Sequence, residues 1–261
     1  MRVLAFFSEI SHVLVDTKGK LSNLHHVKIE STFNEFIAKE LVYAEDPNSY
    51  LDDRLGEIKE RLLELNSARE KMSKGYKMVL EGLADAYKAI DLKDPNLIDS
   101  PDRMARALLE ICSGLGAKNS DAVNTTFPSE KYNEVIILKD IDFVSLCSHH
   151  FFPFQGLAHV GYLPDVKEKG RVIGLSKLAR IVDVHAKRPQ LQERLCYSIM
   201  EALKEELKPA GVMVVIEAAH GCLNCRGAKK QNASMITSAL DGVFKTDEKT
   251  RIEFLDLIRM K

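Results

Sequence analysis

Residues 134–163 read EVIILKDIDFVSLCSHHFFPFQGLAHVGYL, and the way this run divides decides the fold. Glu134 to Leu146 and Phe154 to Leu163 are rich in β-branched and aromatic residues, which predicts two strands with a short connection between them. Cys147-Ser148-His149-His150 falls in that connection and sets a thiol beside two imidazoles. Zinc prefers sulfur and nitrogen ligands in a tetrahedron, and a catalytic zinc keeps three protein ligands with one corner left for water. Cys147 and one neighbouring histidine supply two ligands. The third is expected from His220-Gly221-Cys222-Leu223-Asn224-Cys225, which again follows a run of β-formers, Gly211 to Ala218 (GVMVVIEA). Two such knots, far apart in sequence, suggest one site closed by the fold. Cys222-x-x-Cys225 also has the spacing of a structural zinc site, and a fourth sulfur ligand would leave no corner for water.

Outward from the strand pair, the pattern changes on both sides. Upstream, Leu51, Leu55, Ile58, Leu62 and Leu65 recur at helical spacing, and Met72, Tyr76, Val79, Leu80, Leu83, Tyr87 and Ile90 continue in a second phase. This predicts one long helix or two, ending near Asp94-Pro95. Ser100-Pro101 reads as an N-cap followed by proline at the first helical position, giving a helix from about Pro101 to Ile111. Downstream, Ser176 is placed to cap a helix with Leu178, Ile181, Val182 and His185 on its apolar face; Pro189 breaks it, and Leu191, Leu195, Ile199, Ala202 and Leu203 mark a second. Gly211 to Ala218 and Ala233 to Phe244 read as strands, and Asp247 can cap a final helix. The order strand, strand, helix, helix, strand, strand implies an antiparallel sheet with two helices on one face, an α+β architecture. In the first fifty residues, Val3 to Phe7 and His12 to Val15 could be short strands, and Glu45 to Ser49 reads as a loop; the His25-His26 pair reads as surface decoration.

Composition bounds the function. A chain of 261 residues with 45% apolar content can bury a real core, and no run approaches the ~20 apolar residues of a membrane span. The Val3 to Phe7 run is interrupted at Glu9 and His12 with no small-residue cleavage site, so cytoplasmic residence is the expectation. Five cysteines, three of them beside histidines or each other, fit metal binding in a reducing compartment better than a disulfide framework. The net charge of -1 hides a local bias: Lys and Arg crowd Lys169 to Arg194 and Arg226 to Lys230, beside the two knots. A basic patch at a metal suits a small anionic substrate, whereas nucleic acid calls for a broadly basic domain.

Taken in order, Cys147-Ser148-His149-His150, Val172 to Val182 (VIGLSKLARIV), Arg188 to Leu195 (RPQLQERL), His220-Gly221-Cys222 and Arg226-Gly227 resemble the signature of GTP cyclohydrolase I. The likeness runs from about Lys74 to the C-terminus. It implies a tunnelling fold, in which a four-stranded antiparallel sheet carries two antiparallel helices and assembles as a homodecamer with active sites between subunits. The resemblance divides the chain into an N-terminal extension over 1–70, a helical region over 71–118 and a catalytic domain over 119–261. The implied reaction opens the guanine imidazole ring of GTP, releases formate and recloses the skeleton as 7,8-dihydroneopterin triphosphate, the first step towards folate or biopterin.

By the same resemblance, Cys147, His150 and Cys222 are the Zn2+ ligands, and zinc supplies a nucleophile by lowering the pKa of its water to about 7. His149 and His220 are expected as acid and base, and Ser176 is expected to assist ribose opening. Glu193, with Gln192 beside it, matches the guanine-binding pair; Lys177, Arg180 and Arg226 match triphosphate contacts, with Arg103 contributed by a neighbouring subunit. The chain departs from the family in having Ser148 where Glu is usual, Gly221 where a bulkier residue is usual, and an added thiol at Cys225. These departures keep two other readings open: another tunnelling-fold enzyme acting on a purine or pterin, and a non-catalytic zinc-stabilised assembly protein.

Overall fold

The computed structural model describes residues 47–260, apart from 124, 131 and 166–169. The strands and histidine pair expected within the first 46 residues lie outside the described residues. The chain divides into two compact units, Met1–Arg106 and Ala107–Lys261.

In the first unit, α1 (Pro47–Tyr87) is one uninterrupted helix of 41 residues. It starts inside the segment expected to be a loop, with proline at its first position, where the missing N–H costs nothing. It stops at Tyr87, before the expected end near Asp94. Lys88 takes a left-handed φ of 55°, and Asp91 and Asp94 then turn the chain by accepting from the backbone N–H groups of Lys93 and Asn96 at 2.9 and 2.8 Å. Such Asx turns compete with helix. The next helix, α2 (Ser100–Ile111), begins one residue earlier than expected, because Asp99 supplies the carbonyl that accepts from Arg103 N–H.

The second unit is α+β. After a 3-10 turn (Ser113–Gly116) and the short α3 (Asn119–Ala122), its strands are β1 (Thr126–Pro128), β2 (Ile136–Cys147), β3 (Pro153–Leu163), β4 (Arg171–Ile173), β5 (Pro189–Gln190), β6 (Gly211–His220) and β7 (Met235–Gly242). The main sheet runs β5-β2-β3-β6-β7, and β1 pairs with β4 in a separate ribbon. Four strands pair antiparallel as the element order predicts; a fifth, β5, adds two parallel pairs, Leu146 with Pro189 and Cys147 with Gln190. No sequence signal marks so short a strand, yet it ties the first knot to the chain that follows Pro189.

The helices α4 (Leu175–Ala186) and α5 (Gln192–Leu207) pack on one face, α4 over β2 and α5 over β6 and β7. Leu178, Ile181, Leu195, Ile199 and Leu203 meet Val212, Val214 and Ile216 there in one buried cluster. Alternation sends Met213 and Val215 to the opposite face, where Phe244 of α7 (Val243–Thr246) and Phe254 of α8 (Glu248–Arg259) cover them. Asp247 caps α8 as expected, accepting from Lys249 and Thr250 N–H. Ser176 does not cap α4: Gly174 holds the N-cap position, Lys177 N–H reaches its carbonyl at 2.8 Å, and Ser176 is exposed within the first turn.

Candidate metal centre and its surroundings

The β2–β3 connection is a tight loop held from both ends. Cys147 N–H donates to Phe152 O, and Phe151 N–H donates back to Cys147 O, both at 2.8 Å. Closing so short a loop puts Phe151 at φ 54°, a left-handed conformation that costs a non-glycine residue roughly 1–2 kcal/mol. Cys147 ends the strand buried, whereas His149 and His150 on the turn are exposed with ring centroids 6.1 Å apart. The loop is fastened sideways as well. Ser148 N–H donates to Gln190 O at 3.0 Å, and Arg194 donates to Ser148 Oγ at 3.1 Å, to Pro189 O at 2.9 Å and to Gln190 Oε1 at 2.8 Å.

The second knot arrives on β6. His220 pairs in register with Phe154, and its ring lies flat on the Phe154 ring, with centroids 4.6 Å apart and planes 2° from parallel. The chain then turns into α6 (Gly221–Asn224), which presents Cys222 to Cys147. At Gly221 a Cβ would stand 2.8 Å from Pro153 O, so this backbone leaves room only for glycine.

Cys147, His150 and Cys222 come together: one donor atom from each lies within 4.8 Å of the others. The two Sγ atoms are 4.0 Å apart, close to the ~3.8 Å separating two sulfurs at ~2.3 Å from a tetrahedral zinc and far beyond the ~2.05 Å of a disulfide. Two sulfurs and one imidazole at this spacing fit a borderline-soft divalent ion. Burial, together with the neighbouring Cys147 sulfur, pushes the Cys222 thiol up, and Arg226 draws it down; a bound cation would make both thiolates favourable. Cys225 stands apart from this group. Its exposed thiol turns back to donate to Gly221 O at 2.8 Å, so the sulfur expected in a closed four-ligand site points elsewhere.

Near this trio, Glu193 is exposed at the start of α5 and close enough to His220 for its charge to raise the imidazole pKa, against a larger lowering by burial. Gln192 is 1% exposed and its carboxamide is bonded within the protein, to His220 Nε2 at 2.7 Å and to the carbonyls of Ile216 and Met235. That side chain, expected against the base beside Glu193, is therefore committed elsewhere. Ser176, Lys177 and Arg180 follow one another on the first turns of α4, and Arg226 lies beyond α6 within electrostatic reach of Cys222. Arg103 belongs to the first unit, on α2, paired with Asp99 at 3.6 Å. Two residues near the site had no sequence signal as participants: Phe154, known only once the strand register is known, and Arg194, which reads as any helix arginine.

Against protein families, residues 71–259 match GTP cyclohydrolase I. The chain belongs to the GTP cyclohydrolase I family. GTP cyclohydrolase 1 of Thermoanaerobacter pseudethanolicus is 47% identical over 193 residues, covering 74% of this chain and 98% of that protein. GTP cyclohydrolase 1 of Mycolicibacterium gilvum is 51% identical over 172 residues, covering 65% and 84% respectively. Among solved structures, the apo form of the archaeosine synthase QueF-Like aligns with 43% of this chain and 97% of that chain at a TM-score of 0.35 and 20% identity. The family is one of hydrolases, and the Cys-His-Cys group lies inside the matched region. No helix among the described residues is long and apolar enough to cross a membrane.

Proposed function

We propose that this chain is a zinc-dependent GTP cyclohydrolase I, hydrolysing the imidazole ring of GTP to formate and 7,8-dihydroneopterin triphosphate on the way to folate or biopterin. The observation that carries the reading is the convergence of Cys147, His150 and Cys222 from two distant segments, with Cys225 turned away. Three ligands are the complement of a catalytic zinc rather than a structural one. Zinc bound there would supply Lewis-acid activation of the water that attacks C8 of the purine.

The chain's own residues do the rest. His149 and His220 flank the ligands in sequence and move protons at the opening ring, a task for which imidazole, with one nitrogen that donates and one that accepts, is suited. The Glu193 carboxylate accepts from N1–H and the exocyclic amine of guanine, a pairing that a neutral side chain could not make twice. Lys177, Arg180 and Arg226 hold the triphosphate, whose nearly four negative charges call for several cationic donors. Ser176, freed from capping, offers its hydroxyl to the ribose. Arg103 completes the phosphate site from a neighbouring subunit of a homodecamer, with residues 119–261 as the tunnelling-fold catalytic domain, 71–118 as a helical region and 1–70 as an extension, in the cytoplasm.

The zinc-loaded protein incubated with GTP is expected to release formate and give a fluorescent pterin after oxidation, and Cys222→Ala is expected to do neither. Absence of both products from the parent would falsify the assignment.

A further inference from the structure

Gln192 reaches further than the roles above. Its Nε2 lies 3.1 Å from Ile216 O, 2.8 Å from Met235 O and 3.1 Å from Thr237 Oγ1. Carbonyl oxygens can only accept, so the amide nitrogen must occupy that side and the amide oxygen must face His220. Oε1 is 2.7 Å from His220 Nε2 and can only accept, so Nε2 carries a hydrogen. In the neutral ring the lone pair is then on Nδ1. Two contacts fix the ring. Phe154, stacked on it, sets its plane, and Gln192 sets its rotation about Cβ–Cγ, because a half-turn would bring Cε1 opposite Oε1 and leave a buried acceptor unmet.

We propose that Gln192 is a positioning residue, not a reader of the base: it holds His220 in the Nε2–H tautomer and in one orientation, leaving Nδ1 as the ring nitrogen able to accept. The four partners of this carboxamide lie on two neighbouring strands, β6 and β7, so Gln192, from α5, references the histidine to the sheet itself rather than to the loop that carries Cys147 and His150. The step that uses Nδ1 rests on the ring-opening reading above; the tautomer does not.

Two measurements on the zinc-loaded full-length protein test this. In magic-angle-spinning 15N spectra of histidine-labelled protein, with His220 assigned by its loss in His220→Asn, Nε2 is expected at the protonated position and Nδ1 at the unprotonated one. The opposite pattern overturns the proposal. In steady-state kinetics with GTP, Gln192→Met is expected to lower kcat by about tenfold to a hundredfold, with KM within about twofold and zinc content unchanged. A rise in KM at unchanged kcat would make Gln192 a substrate contact and overturn it. Should the variant fail to fold, the parent spectrum still decides the tautomer. Should the parent release no formate, the assigned reaction fails while the spectrum still decides the tautomer.

Discussion

Replacing Arg194 by alanine removes the fastening between the first knot and the start of α5. The guanidinium makes three hydrogen bonds, to Gln190 Oε1, Pro189 O and Ser148 Oγ at 2.8, 2.9 and 3.1 Å. Their worth is unequal. Ser148 is only half-buried, so water replaces the lost partner of its hydroxyl at little cost. Gln190 is 3% exposed, its Nε2 already donating to His185 O at 2.9 Å, so its orphaned oxygen stays dry and costs about 1–3 kcal/mol. A total of about 2 kcal/mol corresponds to a fall in Tm of about 4–8 °C for a unit of this size. The loop that carries Cys147 and His150 loses its side anchor at the same time, and zinc affinity is expected to fall about tenfold, as for outer partners of metal ligands. Thermal unfolding and zinc competition against a chromogenic chelator measure the two effects. Arg194→Lys should restore less than half of either, because one ammonium cannot span the fork of acceptors. If Arg194→Ala unfolds within about 2 °C of the parent and holds zinc equally well, the anchor has no energetic content and the reasoning fails.

Other expectations follow from single residues. Cys222→Ala should weaken zinc by more than about a hundredfold, beyond what an outer partner is worth, and abolish formate release; retained zinc at one per chain would show that the ligand set is wrong. His185 is buried against Asn119, with Nδ1 unpartnered, and burial pushes its pKa down to about 4. The unfolded chain, titrating near ~6.5, binds the proton first, so stability is full above that pH and falls by about 3 kcal/mol as pH drops towards 4; the loss should be absent in His185→Gln, and an equal slope in both proteins would refute it. Cys225 is exposed three residues after Cys222, and Cys225→Ser should slow inactivation by peroxide; equal rates in parent and variant remove the idea.

The strands at Glu134 to Leu146 and Gly211 to Ala218 were legible because burial in a sheet selects β-branched, aromatic and other apolar residues in short runs that stand out in the sequence. That two Cys-His knots would meet was legible too, since thiols beside imidazoles have few other uses at strand ends, but the choice of Cys147, His150 and Cys222 came from the family resemblance, and the structure brings those three together. Three things were not. Ser176 has the chemistry of a cap, but Gly174 already bends the chain at the right place, and capping depends on backbone geometry rather than residue type. The end of α1 was misplaced because Ile90 extends the apolar period, while the turn is set by Asp91 and Asp94 side chains competing for backbone N–H groups. Gln192 and Glu193 look equivalent in a row of letters; one residue of helix rotation separates a side chain locked under the sheet from one open to solvent.

The stretch Gly211–Ile216 is buried at every position, because helices cover the strand from above and below. It therefore works as a stiff rod with the His220 ring at its tip. Random mutagenesis should find almost no silent changes along it, while Ile236 of β7, 66% exposed, should tolerate exchange. Engineers seeking altered chemistry should vary the loops that converge on the rod and leave the rod alone.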